Sequence, residues 1–249
     1  MQPQPFTLRV DDDVLADLRQ RLARVRWPDE VPGSDWRYGT DLAYLKELVR
    51  YWRDAYDWRA NEAKLNVFEQ FTVPLGGINL HFIHQSGVGA APLPLLISHG
   101  WPGSVVEFSK LIPLLTDPAR FGGDPADAFT VVAPSLPGYG FSFTPNQPRF
   151  SASQIADLFA ELMTYVLGYR HFAAHGGDWG SFITACLGFH YPDRLQGIHL
   201  TMLPLRRDIA PSKDATEDEL RYFEELREFL REESAYQLLR STLSGAPTS

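Results

Sequence analysis

Several features common in other protein classes are missing from this 249-residue chain. A single cysteine, Cys186, rules out an intramolecular disulfide, so we expect a cytoplasmic location and a packing role for this thiol. The opening residues lack the basic and apolar regions of a signal peptide, and no run of 18 uncharged apolar residues occurs, so we expect no membrane anchor. The net charge is −8 and no long basic run exists, so nucleic acid is not an expected partner.

Hydrophobic spacing in the first part of the chain predicts helices. Apolar side chains recur at helical spacing over residues 11–25 and again from Leu42 to about residue 57, which predicts two amphipathic helices before any strand. From residue 66 the period becomes that of strands, and residues 68–73 and 78–83 predict a hairpin around Gly76 and Gly77.

The middle of the chain alternates apolar runs with helical stripes. Runs at residues 92–98, 129–133 and 195–202, together with the run before Asp178, predict a parallel sheet with helices on both faces. Ligands of such sheets bind at the carboxyl ends of the strands. The polar residues that fall at or near those ends are His99, Ser135, Asp178 and Thr201.

Asp178 stands at a sharp strand-to-helix turn. Gly176 and Gly180 lie two residues before and after it, which is the spacing that lets a backbone expose a nucleophile in a strained turn. A carboxylate at this place can attack carbon directly and leave an ester that water must open. The alternative is that Asp178 only caps the following helix.

Three motifs in this order resemble the epoxide hydrolases of the α/β-hydrolase fold. They are His99-Gly-Trp-Pro102, the loop from Pro137 to Ser142, and Gly176-Gly-Asp-Trp-Gly180. The segment before them, with Tyr51-Trp52 and Tyr56-Asp-Trp-Arg59, is similar to the N-terminal helical arm of the microsomal and juvenile-hormone type. The resemblance implies a mostly parallel sheet with helices on both faces, preceded by a helical arm at residues 1–65. It also implies a core at residues 66–204 and the start of a helical lid at residues 205–249.

The resemblance assigns roles to individual residues. Asp178 is the expected nucleophile, the backbone N–H groups of Trp101 and Trp179 form the oxyanion hole, and Tyr236 is the acid that protonates the opened epoxide. His99 and Pro102 join the two tryptophans as expected substrate-binding residues. The alternative for the tryptophans is core packing, and the alternative for Tyr236 is an exposed helix tyrosine; Ser244 stands where the family usually has proline. A small apolar epoxide and water are the expected reactants, without cofactor or metal.

The family also needs a second lid tyrosine, an acid and a histidine base, in later parts of the fold. The histidines that follow Asp178, His190 and His199, fall within a predicted helix and a predicted strand. We therefore expect a C-terminally truncated enzyme whose ester hydrolysis is impaired, and which aggregates, forms a homo-oligomer or pairs with a complementing C-terminal fragment. Two alternatives remain: a dehalogenase of the same fold, and a non-catalytic remnant that binds apolar molecules.

Overall fold

The computed structural model describes residues 2–203 and 210–235, and these form two compact units that are described separately. The first unit contains the sheet and the elbow at Asp178. The described residues of the second include an amphipathic helix. Tyr236, the expected acid, lies outside the described residues, so its role stays a prediction.

The N-terminal arm differs from the expected two helices. It contains a two-residue strand, β1 (Gln4–Pro5), and three helices: α1 (Asp12–Ala23), α2 (Leu42–Asp54) and α3 (Trp58–Leu65). The expectation was wrong because Asp57 accepts the backbone N–H of Ala60 at 2.9 Å and so starts a new helix. A strand of two residues is also too short to show an alternating pattern.

Six further strands complete the sheet. They are β2 (Gln70–Leu75), β3 (Ile78–Gln85), β4 (Leu93–Ser98), β5 (Phe129–Pro134), β6 (Phe172–Gly176) and β7 (Leu195–Leu200). The spatial order is β1-β2-β3-β5-β4-β6-β7. Strands β5, β4, β6 and β7 run parallel, and β1, β2 and β3 add an antiparallel part. The predicted hairpin is confirmed, with Gly76 and Gly77 both at positive φ in the turn.

Helices cover both faces of this sheet, as predicted. The first face is covered by α5 (Ala152–Glu161), which continues as a π turn to Val166, and by α6 (Trp179–His190). Buried Phe82, Leu96 and Phe172 of the sheet pack there against both helices. The second face is covered by a 3₁₀ turn (Val105–Phe108) and α4 (Leu111–Thr116), which pack on Ile83, Ile97 and Val131. Alternate strand residues therefore belong to opposite cores.

The segment between β1 and α1 is joined to α3 and the residue after it through side chains that satisfy backbone groups. The Asn66 side chain accepts the N–H of Leu8 at 2.9 Å and donates to its carbonyl at 2.8 Å. Glu62, buried on α3, accepts the N–H of Val10 at 2.7 Å and bonds to Arg59 and Trp58. These contacts lower the pKa of Glu62 to about 2, with the Val10 N–H as the largest cause.

The second unit contains α7 (Glu217–Glu232), whose first turn is fixed by a capping box. Thr216 Oγ1 accepts the N–H of Glu219, and the Glu219 carboxylate accepts the N–H of Thr216 at 2.7 Å. None of the helices within residues 2–203 and 210–235 has the length and apolar content needed to cross a bilayer.

Candidate active site

The predicted sharp turn is present between β6 and α6. Asp178 adopts φ 51° and ψ −123°, a conformation that costs energy for any residue with a side chain. The two glycines around it are required by space. A Cβ at Gly176 would meet the backbone of Gly180, and a Cβ at Gly180 would meet the carbonyl of Ser98 at the end of β4. The elbow can therefore close only with glycine at both positions.

The Asp178 carboxylate is held by a neighbouring loop. Its side chain makes no capping hydrogen bond to α6, although the residue occupies the N-cap position. Oδ1 instead accepts the backbone N–H of Trp101 at 2.8 Å. This approach depends on Gly100, because a Cβ there would collide with the Asp178 side chain. The carboxylate is thus oriented by the loop after β4 and not by its own helix.

That loop and the elbow line an open pocket of about 410 Å³. Gly103 N–H donates to the Gly100 carbonyl at 3.0 Å and closes the loop, which includes a cis Trp101–Pro102 peptide bond. The lining residues are Gly100, Trp101, Pro102, Gly103, Glu107, Gly177 and Asp178.

The two tryptophans of the expected oxyanion hole lie on different segments, Trp101 on the loop after β4 and Trp179 directly after Asp178. Trp179 is the first residue of α6, where backbone N–H groups have no partner within the helix. Trp101 is 39% exposed and Trp179 is 46% exposed, and the Trp179 ring lies 5.9 Å from that of Phe182. Neither indole belongs to the buried core, which argues against a simple packing role.

His99 lies beneath the loop and does not line the pocket. It is 1% exposed, its Nδ1 lies 3.0 Å from the Gly100 carbonyl, and its Nε2 lies 3.1 Å from the Leu136 nitrogen. Because the Leu136 N–H donates to Nε2, the proton of the neutral ring is on Nδ1. Burial lowers the pKa of His99 and so favours this neutral form. His99 therefore contacts the Gly100 carbonyl of the loop and does not line the pocket, whereas the resemblance predicted that it contacts substrate.

The other polar residues expected at the strand ends, Ser135 and Thr201, make hydrogen bonds within the fold. The Ser135 hydroxyl lies 2.9 Å from Nδ1 of His81, whose Nε2 lies 3.1 Å from the Gln70 side-chain oxygen. Burial lowers the pKa of His81 to about 4. Thr201 N–H donates to the Gly176 carbonyl at 3.2 Å and so extends the pairing of β6 with β7 up to the elbow.

The histidines that follow Asp178 make contacts away from the pocket. Nδ1 of His190, at the end of α6, lies 3.8 Å from Asp157. His199 is on β7, and its Nδ1 lies 2.8 Å from Nδ1 of His175 on β6. Neither residue lines the pocket. Within residues 2–203 and 210–235, no group of three or more His, Cys, Asp or Glu side chains is arranged to hold a metal ion.

Glu107 is a pocket residue that the sequence analysis missed. It is the third residue of the 3₁₀ turn that begins at Val105, and desolvation, with a smaller effect of the Asp178 charge, raises the pKa of its carboxyl. The motif Ser104-Val-Val-Glu107 directly after Gly103 has the spacing of a capping box and could have indicated it.

Comparison with known proteins places this geometry in a family. The profile of the epoxide hydrolase N terminus matches residues 3–108, and that of the alpha/beta hydrolase fold matches residues 94–241. A Stigmatella aurantiaca protein provisionally named as an epoxide hydrolase is 45% identical over 96% of this chain and 54% of its own length. Epoxide hydrolase 1 of Oryctolagus cuniculus is 38% identical over 82% of this chain and 46% of its own length. The chain thus spans about half the length of these relatives.

Comparison with a solved structure indicates the same family. The Aspergillus niger epoxide hydrolase superposes with a TM-score of 0.79 and 31% identity, over 96% of this chain and 62% of that structure. The resemblance inferred from the three motifs and the arm is therefore confirmed. The chain belongs to the α/β-hydrolase fold family, in the group of epoxide hydrolases that carry this N-terminal segment.

Proposed function

We propose that this chain carries the nucleophile of an epoxide hydrolase and forms an alkyl-enzyme ester at Asp178. The observation that carries the proposal is the orientation of the Asp178 carboxylate, which accepts the Trp101 N–H and leaves its own helix uncapped. Because Oδ1 is engaged, Oδ2 is the oxygen that attacks an epoxide carbon. A carbon–oxygen bond forms at that carbon, the ring carbon–oxygen bond breaks, and the alkoxide takes up a proton.

The second step of the reaction opens the ester. Water adds to the Asp178 carbonyl carbon, negative charge develops on Oδ1, and the diol leaves as the carboxylate is restored. The Trp101 N–H is placed where that charge develops, and the Trp179 N–H at the start of α6 is the second expected donor. This step needs a base to take a proton from water.

The reaction also needs an acid and a base. Tyr236 is proposed as the acid because a phenol is neutral at pH 7 and can donate to a developing alkoxide. Neither His190 nor His199 lines the pocket, so we expect the ester formed by the 249-residue chain to accumulate.

Exposed indoles at Trp101 and Trp179 favour a small apolar epoxide as substrate. The single cysteine supports a cytoplasmic location.

We also propose that the far edge of the sheet pairs with another chain. Among the described residues, β7 pairs with β6 alone and leaves its other edge open. Beside it an apolar groove of about 560 Å³ runs between the sheet and α4, lined by Leu95, Ile97, Leu111 and Leu115 among others. A second copy of this chain or a complementing C-terminal fragment are the proposed partners.

Intact mass spectrometry tests the catalytic proposal. The 249-residue chain is incubated with styrene oxide, and we expect a mass increase of one substrate molecule, which peptide mapping assigns to Asp178. Asp178→Asn removes the anionic nucleophile and should abolish the increase, whereas Asp193→Asn, an exposed carboxylate elsewhere in the same unit, should leave it unchanged.

Three outcomes contradict the proposal in different ways. If neither adduct nor diol forms, the chain is not catalytic, and the alternative that it only binds apolar molecules is favoured. Labelling that persists in Asp178→Asn points to nonspecific alkylation. Halide release from a haloalkane, without reaction of the epoxide, assigns the same nucleophile to a dehalogenase.

A further inference from the structure

Glu107 contacts the loop that orients the nucleophile. Its backbone N–H donates to the Ser104 carbonyl at 3.1 Å, and its carboxylate lies near enough to the Ser104 backbone to interact with it. The Ser104 hydroxyl in turn accepts the N–H of Val106 at 3.3 Å. These two bonds hold the carbonyl and the hydroxyl of Ser104, which directly follows Gly103 at the end of the loop.

The carboxylate also lies against the loop itself. A Cβ added to Gly103 would collide with Oε1 of Glu107, so the carboxylate occupies the space that any side chain at residue 103 would fill. The Gly103 N–H is bonded to the Gly100 carbonyl at 3.0 Å. Trp101, whose N–H holds Asp178 Oδ1 at 2.8 Å, lies between these two glycines. Movement of Gly103 would therefore move the donor to the nucleophile.

We propose that Glu107 is a positioning residue, which holds the loop from Gly100 to Gly103 so that the Trp101 N–H stays on Asp178. This inference rests on the proposed function of Asp178. A cap alone would make Glu107 a stabilising residue of a short turn. Its place in the same pocket as Asp178 and its contact with Gly103 link it to the reaction geometry. The raised pKa of Glu107, to which the Asp178 charge contributes, supports their proximity.

The rate of ester formation in Glu107 variants tests this inference. With styrene oxide in excess, we expect Glu107→Ala to slow adduct formation about tenfold, because a small displacement of a reacting group from its productive geometry has effects of this size or larger. Glu107→Gln keeps an oxygen acceptor at the same place and should retain a rate within about twofold of the unchanged chain. Because Glu107 is exposed, neither change leaves a cavity.

A matched cap elsewhere separates positioning from stability. Gln154 is the third residue of α5, as Glu107 is of its 3₁₀ turn; its side-chain oxygen accepts the N–H of Ser151 at 2.9 Å, and it is exposed. Gln154→Ala should lower the melting temperature as much as Glu107→Ala does but leave the adduct rate unchanged.

The inference is overturned if Glu107→Ala reacts at the rate of the unchanged chain, or if Glu107→Gln is as slow as Glu107→Ala. It is equally overturned if Gln154→Ala slows the reaction to the same extent. If the unchanged chain forms no adduct, the proposed function of Asp178 itself fails, which is a separate result.

Discussion

Gly180 shows how one residue can be constrained by a contact far away in the chain. Alanine is normally about 1 kcal/mol better than glycine inside a helix, and Gly180 lies in the first turn of α6. Here a Cβ would meet the carbonyl of Ser98 on β4, so the expected sign is reversed. We predict that Gly180→Ala lowers the free energy of unfolding in urea by about 3 kcal/mol.

Gly197 on β7 provides the control, because a Cβ there would meet nothing within 4 Å. Gly197→Ala should change the free energy of unfolding by no more than about 0.5 kcal/mol. Equal effects at both positions would show that the contact with Ser98 is not what requires glycine.

A buried histidine gives the fold a dependence on pH. His81 is fully buried between the rings of Phe6 and Phe141, and its pKa is lowered to about 4 from an ordinary 6.5. Between pH 6.5 and about 4 this ring is protonated in the unfolded chain and neutral in the folded chain. The contribution of His81 to the free energy of unfolding is therefore fully present above pH 6.5 and is lost as the pH falls toward 4.

We predict that His81 alone makes the protein about 2 kcal/mol less stable at pH 5 than at pH 7. His81→Gln should reduce the pH dependence of urea unfolding by this amount, and His171→Gln, at an exposed histidine, should not. If His81→Gln leaves the dependence unchanged, the ring is protonated in the folded state.

At the scale of elements, α3 is joined to the start of the chain by one buried carboxylate. Glu62 accepts the Val10 N–H and bonds to Arg59, which also binds the Val10 carbonyl at 2.7 Å. We predict that Glu62→Gln weakens this junction, because a neutral amide cannot pair with the guanidinium. Limited proteolysis should then cleave the segment between β1 and α1 faster.

Glu47 is a matched control, since it is an exposed glutamate on α2. Glu47→Gln should leave the cleavage rate unchanged. The contribution of Glu62 to the stability of this junction is present above pH 4.5, the ordinary pKa of its carboxyl. It is lost as the pH falls toward the pKa in the folded chain, which is about 2. Protection from cleavage that is the same for both variants would exclude Glu62 as the link.

At the scale of the whole molecule, we propose that β7 mediates association through the edge that has no partner strand among the described residues. Ile198 lies on this strand, is 45% exposed and borders the apolar groove. We predict that the 249-residue chain self-associates in light scattering and that Ile198→Lys reduces this association, because a charged residue opposes pairing at an edge strand. Val88→Lys, at a valine that is 60% exposed outside the strands, should have no effect. A clean monomer of the unchanged chain would contradict the prediction.

Much of the architecture could be predicted from local patterns. The hairpin at Gly76 and Gly77, the four parallel strands and the elbow at Asp178 follow from side-chain periodicity and from glycines at fixed offsets. Helix α3 was missed because its start depends on a single cap at Asp57 within a continuous amphipathic stretch. Strand β1 was missed because pairing with β2 creates it, and two residues carry no period.

The site was predicted less completely than the fold. Asp178, Trp101 and Pro102 were placed together by motif, and they do line one pocket. His99 was expected to contact substrate, but the tertiary structure buries it beneath the loop. The spacing of Ser104 and Glu107 could have indicated a cap, but the contact of Glu107 with Gly103 depends on how the loop folds back, which residue types alone do not reveal.

The sequence by itself determined the hairpin, the series of parallel strands, the strained turn and the family, because these depend on backbone preferences and spacing within short stretches. Only the tertiary structure decided which group holds the Asp178 carboxylate. The Trp101 N–H that does so lies 77 residues away, and it reaches Asp178 because β4 and β6 pair in parallel and end side by side. A helix cap and a nucleophile share the same local sequence, and the contact across the sheet distinguishes them.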